Sequence, residues 1–161
     1  MSEGRVAEVE ARAPGEEAYA APPVTRMAIA VLALIGLLVA AYLSMYKLGL
    51  IGGLTCTVGS CEQVQASPWS MLLGLPVSLW GLGAYVVILA VAILGLQPRY
   101  VGARWVALVL FGVSAAGVGF SAYLTYIEAF VIEMWCQYCV ISAILITLIF
   151  FLSIPGLRRA R

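Results

Sequence analysis

The chain has no histidine, no aspartate and no asparagine. Without histidine or aspartate a Ser-His-Asp triad cannot be assembled, and a His-ligated metal or haem is equally excluded. Charge is scarce too: Asp, Glu, Lys and Arg make up 11% of the residues, and they cluster outside the apolar runs. Net charge is +1 with no basic stripe, which argues against nucleic acid as a partner. What remains for chemistry is Cys, Glu, Ser, Thr, Tyr, Gln and Trp. Of these, only cysteine supports an obvious reaction, and there are four: Cys56, Cys61, Cys136 and Cys139.

Apolar residues dominate instead. The mean hydropathy of +1.04 is that of an integral membrane protein. In lipid every backbone polar group needs an internal partner, so the fold class expected is all-α, a membrane bundle. The length suits one bundle without a second folded domain.

Residues 1–26, with five Glu, three Pro and little to bury, read as a disordered polar tail. Four spans follow, at about 27–46, 71–96, 105–127 and 136–154. The third is rich in small residues, and its Ala115/Gly119 and Gly117/Ser121 pairs predict close helix packing. The chain closes on a basic tail, 155–161. Arg26, the turn with Arg99 and Arg104, and the Arg158–Arg161 tail all belong on the cytoplasmic side by the positive-inside rule. Four spans with both termini cytoplasmic satisfy all three. The two segments that hold cysteine then face outward, the side where disulfides persist, and the expected home is the plasma membrane.

Cys136-Gln137-Tyr138-Cys139 heads the last apolar run. Cys136 falls at a helix N-terminus, where free N–H groups and the macrodipole favour a thiolate. Cys139 lies one turn deeper. In a regular helix their Cβ atoms stand about 5–6 Å apart. A disulfide wants about 3.8 Å, so the first turn must distort to close one, which implies a labile, catalytic bridge. The segment carrying Cys56 and Cys61 is Gly-rich and reads as an exposed loop free to meet a protein. Two outward cysteine pairs suggest a thiol–disulfide relay. Three plainer readings stand beside it: structural staples, a four-thiolate zinc site, and a membrane carrier of thiophilic metals. Glu62 and Glu133, near the cysteines in sequence, read as proton relays or as solvated loop charge. Trp135 and Tyr138 read as edges of a bound ring or as interfacial belt residues.

The residues also match a family. Cys56 and Cys61, the stretch Cys61-Glu-Gln-Val-Gln-Ala-Ser67-Pro-Trp69, then Leu73-Gly-Leu-Pro76-Val-Ser78 leading to Gly81 and Tyr85, and finally Cys136-x-x-Cys139, together resemble the bacterial form of the vitamin K epoxide reductase family over about residues 27–154. The order of the pairs differs from that in DsbB, another quinone-linked thiol oxidase, where the C-x-x-C comes first.

The resemblance implies a four-helix bundle around a quinone (menaquinone or ubiquinone), with Cys139 facing the ring. It implies that Cys136 exchanges with Cys61, that Cys56 meets the external protein, and that Ser67 shapes the first-loop helix over the quinone pocket. The partner implied is a separate secreted thioredoxin-like (DsbA-like) protein, oxidised for disulfide bond formation. Animal members instead reduce vitamin K epoxide or quinone, which is the alternative activity. They hold the quinone oxygens with an Asn and a Tyr. This chain has no Asn, and Ala143 stands where that Tyr would fall, so the oxygens need other partners.

Overall fold

The computed structural model describes residues 24–159. The tail expected over 1–26 lies outside them except for Val24–Arg26, as do the last two residues of the basic tail. Val24–Arg26 belong to the first helix, α1 (Val24–Lys47), which follows Pro22-Pro23 directly. A loop leads to a short helix, α2 (Cys61–Ala66), and a 3-10 turn, Pro68–Ser70. A small antiparallel hairpin comes next, β1 (Met71–Leu72) on β2 (Leu75–Pro76), pairing Met71 with Pro76 and Leu72 with Leu75. Three long helices complete the chain: α3 (Val77–Leu94), α4 (Arg104–Ile127) and α5 (Gln137–Arg159).

Four helices, α1, α3, α4 with the turn after it, and α5, are long and apolar enough to cross a membrane. At 1.5 Å per residue the 24 residues of α1 reach about 36 Å, enough for a hydrocarbon core of about 30 Å. Only 22–33% of each span's apolar window is buried inside the bundle, so most of its side chains are left for lipid. The chain is a multi-pass membrane protein.

α1 packs along α3, α4 along α5, and α1 also against α5. Ile29, Ala33, Ile88, Ala92, Val106 and Ile149 form the centre, each almost fully buried. Small residues set the spacing. A Cβ on Gly36 would fall on the Tyr85 ring, and one on Gly117 would meet Ile146 at 2.7 Å. The small-residue stripe of α4 thus serves packing at Gly117, whereas Gly119 has open space around it.

Two boundaries differ from the sequence expectation. The second span starts at Val77 rather than Met71, because the apolar residues before it turn back on themselves as the hairpin. Leu73 (φ 54°) and Gly74 (φ 82°) supply the two positive φ angles that a tight hairpin of this hand requires. The last helix runs through Pro155 to Arg159 instead of stopping there.

At one end of the bundle, Arg26 Nη1 donates to the Gly95 carbonyl at 2.7 Å, tying the start of α1 to the end of α3. Chain direction places the Arg99/Arg104 turn at this end and both cysteine segments at the other.

Candidate redox site at the mouth of the bundle

The cysteine end is built from three irregular pieces: the loop before α2, the α2–hairpin segment, and the link between α4 and α5. α4 runs on into a π-helical turn, Glu128–Ile132, which Glu133 ends in the left-handed region (φ 55°). The Met134 N–H returns to the Glu128 carbonyl at 3.1 Å. The chain then extends into Cys136, immediately before α5, and the Val140 N–H bonds back to the Cys136 carbonyl.

The loop of the first pair does not stand free. Gly59 bridges Cys136 in an antiparallel ladder step, and the Ser60 N–H donates to the Trp135 carbonyl at 2.9 Å. Gln137 Oε1 accepts from the Thr57 N–H (3.3 Å), the Thr57 hydroxyl (3.0 Å) and the Val58 N–H (3.3 Å). The Tyr138 hydroxyl donates to the Thr55 carbonyl at 2.7 Å, and its ring meets Tyr42 edge-on. The loop is exposed, as expected, and these contacts with Trp135, Gln137 and Tyr138 seat it on the C-x-x-C segment. Trp135 and Tyr138 do this rather than line the cavity described below.

Cys56 and Cys61 form a disulfide; Cys136 and Cys139 are thiols. Cys61 (1% exposed) and Cys136 (0%) share one small core with Val64, and Cys56, Cys139 and Tyr138 pack on it. Cys56 is only half-buried. The Cys139 thiol, hydrogen-bonded to Cys136, holds the Cys136 thiol below the ordinary thiol range, against burial and the nearby Glu128 carboxylate, which push it up.

Behind this cluster lies a cavity of about 460 Å³ between the helices. Cys139 lines it; Cys56, Cys61 and Cys136 do not. The wall is mainly apolar, with Gln65, Ser67, Ser70, Ser78, Tyr85 and Ser142 among its polar groups. Ser67 caps α2, its hydroxyl donating to the Val64 carbonyl at 2.7 Å. Tyr85 and Ser142 hold one another at 3.0 Å. Ser78 Oγ is buried with no partner. An apolar slot of this size with few polar points fits a ring of quinone type, and the orphaned Ser78 hydroxyl supplies an unspent donor.

Neither Glu62 nor Glu133 lines this cavity. Glu62 is exposed and accepts the Leu54 N–H at 3.1 Å; Glu133 is exposed at the end of the π turn. The acid on the wall is Glu128, which the sequence did not single out. Its signal was its setting, a lone carboxylate in Ile127-Glu-Ala-Phe-Val-Ile132, because an ionisable group sunk among apolar residues is a functional candidate. Among the described residues no three His, Cys, Asp or Glu side chains gather as metal ligands.

Two cysteine pairs, one disulfide and one dithiol, stacked at the mouth of a membrane bundle beside an apolar cavity define a membrane thiol oxidoreductase. Residues 27–154 match the vitamin K epoxide reductase family, and the chain belongs to it. Its members carry out thiol redox chemistry linked to quinones.

Proposed function

We propose that the protein is a quinone-dependent thiol oxidase that draws electrons from a secreted thioredoxin-like protein and so supports disulfide formation in other proteins. The carrying observation is the order of the sulfurs. Accessibility falls from half-buried Cys56 to enclosed Cys61 and Cys136, and Cys139 opens on the cavity.

The order assigns roles. A thiolate of the partner attacks Cys56 of the outer disulfide and releases Cys61 as a thiolate; the partner's second thiol then frees Cys56 and leaves with the disulfide. Cys61, packed with Cys136, attacks it in the oxidised inner pair and releases Cys139. Cys56 next attacks Cys61, restoring the outer disulfide and freeing Cys136 as a thiol. Two electrons and two protons have then moved from partner to inner pair. A lowered Cys136 thiol suits it to leave from Cys61 in this last step. Quinone supplies a sink for two electrons and two protons. Ser78 offers it a hydrogen bond, Gln65 and Ser67 shape the adjoining wall, and Cys139 presents the donor sulfur.

The cytoplasmic placement of both termini, with the cysteines on the outer face of the plasma membrane, rests on the Arg distribution. Arg26 and the Arg99/Arg104 turn lie at the end opposite the cysteines, as this placement requires. The test is anaerobic mixing of reduced protein with menaquinone or ubiquinone, watching for hydroquinone. Cys139→Ala abolishes it. Cys61→Ala blocks turnover by the protein substrate, while a small dithiol that reaches the inner pair still drives reduction. Full activity in Cys139→Ala would overturn the path.

A further inference from the structure

The inner pair releases two protons with its two electrons, and the Ser, Gln and Tyr side chains of the cavity wall offer no base to take them. A thiol that must lose its proton beside a mainly apolar wall needs a base, and Cys139 lies on such a wall. The chain has no histidine or aspartate to serve.

Glu128 is in the right place. It is 4% exposed, at the junction where α4 passes into the π turn. Its Oε2 accepts the Cys136 N–H at 3.1 Å, which fixes the carboxylate against the C-x-x-C. The same residue lines the cavity, and so does Cys139. It is therefore anchored to the C-x-x-C and shares a cavity wall with the sulfur that gives up the proton. The other titratable groups around it are Cys136, Cys139 and, across the cavity, Tyr85, whose hydroxyl is committed to Ser142.

We propose that Glu128 is the proton carrier of the inner pair, taking the Cys139 proton as that thiol becomes a thiolate and yielding it into the cavity. The inference rests on the quinone reading above. The step balances. Cys139–SH and the Glu128 carboxylate become a thiolate and a carboxylic acid. The Cys136–Cys139 bond then forms as two electrons leave for the quinone. One proton follows from Glu128 and one from Cys136, giving a disulfide, a hydroquinone and the carboxylate restored.

The decisive variant is Glu128→Gln. An amide oxygen still accepts the Cys136 N–H, so a purely structural role survives it, but an amide cannot take a proton. Single-turnover hydroquinone formation from the reduced protein falls ~10²–10⁴-fold, the usual range for a lost general acid–base, while quinone affinity is kept. Glu128→Asp recovers part of the rate.

A second readout needs no quinone. The infrared difference between the chemically oxidised and the reduced protein contains a carboxyl band that shifts in heavy water, and Glu128→Gln loses it. Wild-type rates in Glu128→Gln, or a difference spectrum identical in the two proteins, would overturn the proposal. If wild-type protein fails to reduce any quinone while the carboxyl band is present, the quinone reading fails and the coupling of Glu128 to the dithiol stands.

Discussion

Docking of the first loop on the C-x-x-C segment is the contact on which the relay depends, and Gly59→Ala attacks it at one atom. Gly59 has φ +88°, where an L side chain is strained by ~1–2 kcal/mol. Its added Cβ would land on the Trp135 carbonyl oxygen, which already accepts the Ser60 N–H at 2.9 Å. Backbone oxygen cannot swing aside as a side chain does, so that bond must break, at ~0.5–1.5 kcal/mol net. The loop then undocks more easily by about 2 kcal/mol, or roughly 30-fold in open population. Amide hydrogen exchange reads this directly: the Ser60 amide exchanges roughly 30-fold faster, because exchange follows the open population. Amides in α3 stay as they are, since the helix core does not include the loop. In a Cys56→Ser/Cys139→Ser background the Cys61–Cys136 crosslink also forms more slowly. Unchanged Ser60 exchange would mean that the loop is held elsewhere, and the geometric basis of the relay would be lost.

The helices were legible because long apolar runs without charge have one use in a chain of this hydropathy. The cysteine pairs were legible because no competing chemistry exists in the composition. The hairpin was hidden for the same reason that the spans were visible. Met71-Leu-Leu-Gly-Leu-Pro76 is apolar throughout, so hydrophobic pattern alone cannot separate a turn from the start of a span. Only Gly74 before Leu75-Pro76 hints at it. Glu128 was hidden by sequence distance. Glu133 stands nearer Cys136 in the chain, but the π turn swings Glu133 out and leaves the helical Glu128 facing in. The grip of Gln137 and Tyr138 on residues 55–58 joins segments about eighty positions apart, and no local pattern encodes such a pairing.

Two further outcomes are expected. Gly36→Ala places a methyl against the Tyr85 ring and displaces it, overpacking the α1–α3 seam by ~1–3 kcal/mol. Thermal unfolding falls accordingly, and an unchanged midpoint would show that the seam yields. The last outcome concerns the Cys136 thiol in the reduced inner pair, followed by thiolate absorbance in a Cys56→Ser/Cys61→Ser background. Cys139 donates a hydrogen bond that favours the Cys136 thiolate, so Cys136 titrates below an ordinary thiol. Cys139→Ala removes the side-chain donor and leaves the backbone N–H groups of Tyr138 and residue 139 alone against burial and the Glu128 carboxylate, which disfavour the thiolate. The midpoint must therefore rise. Cys139→Ser keeps a donor and restores much of the lowering. For an acid whose folded value is depressed, the stabilisation is complete above the unfolded thiol value and disappears as pH falls through the folded one. Reduced wild type accordingly loses its stability advantage over Cys139→Ala on acidification. A midpoint in Cys139→Ala at or below that of wild type would show that something other than the neighbouring thiol sets the Cys136 proton.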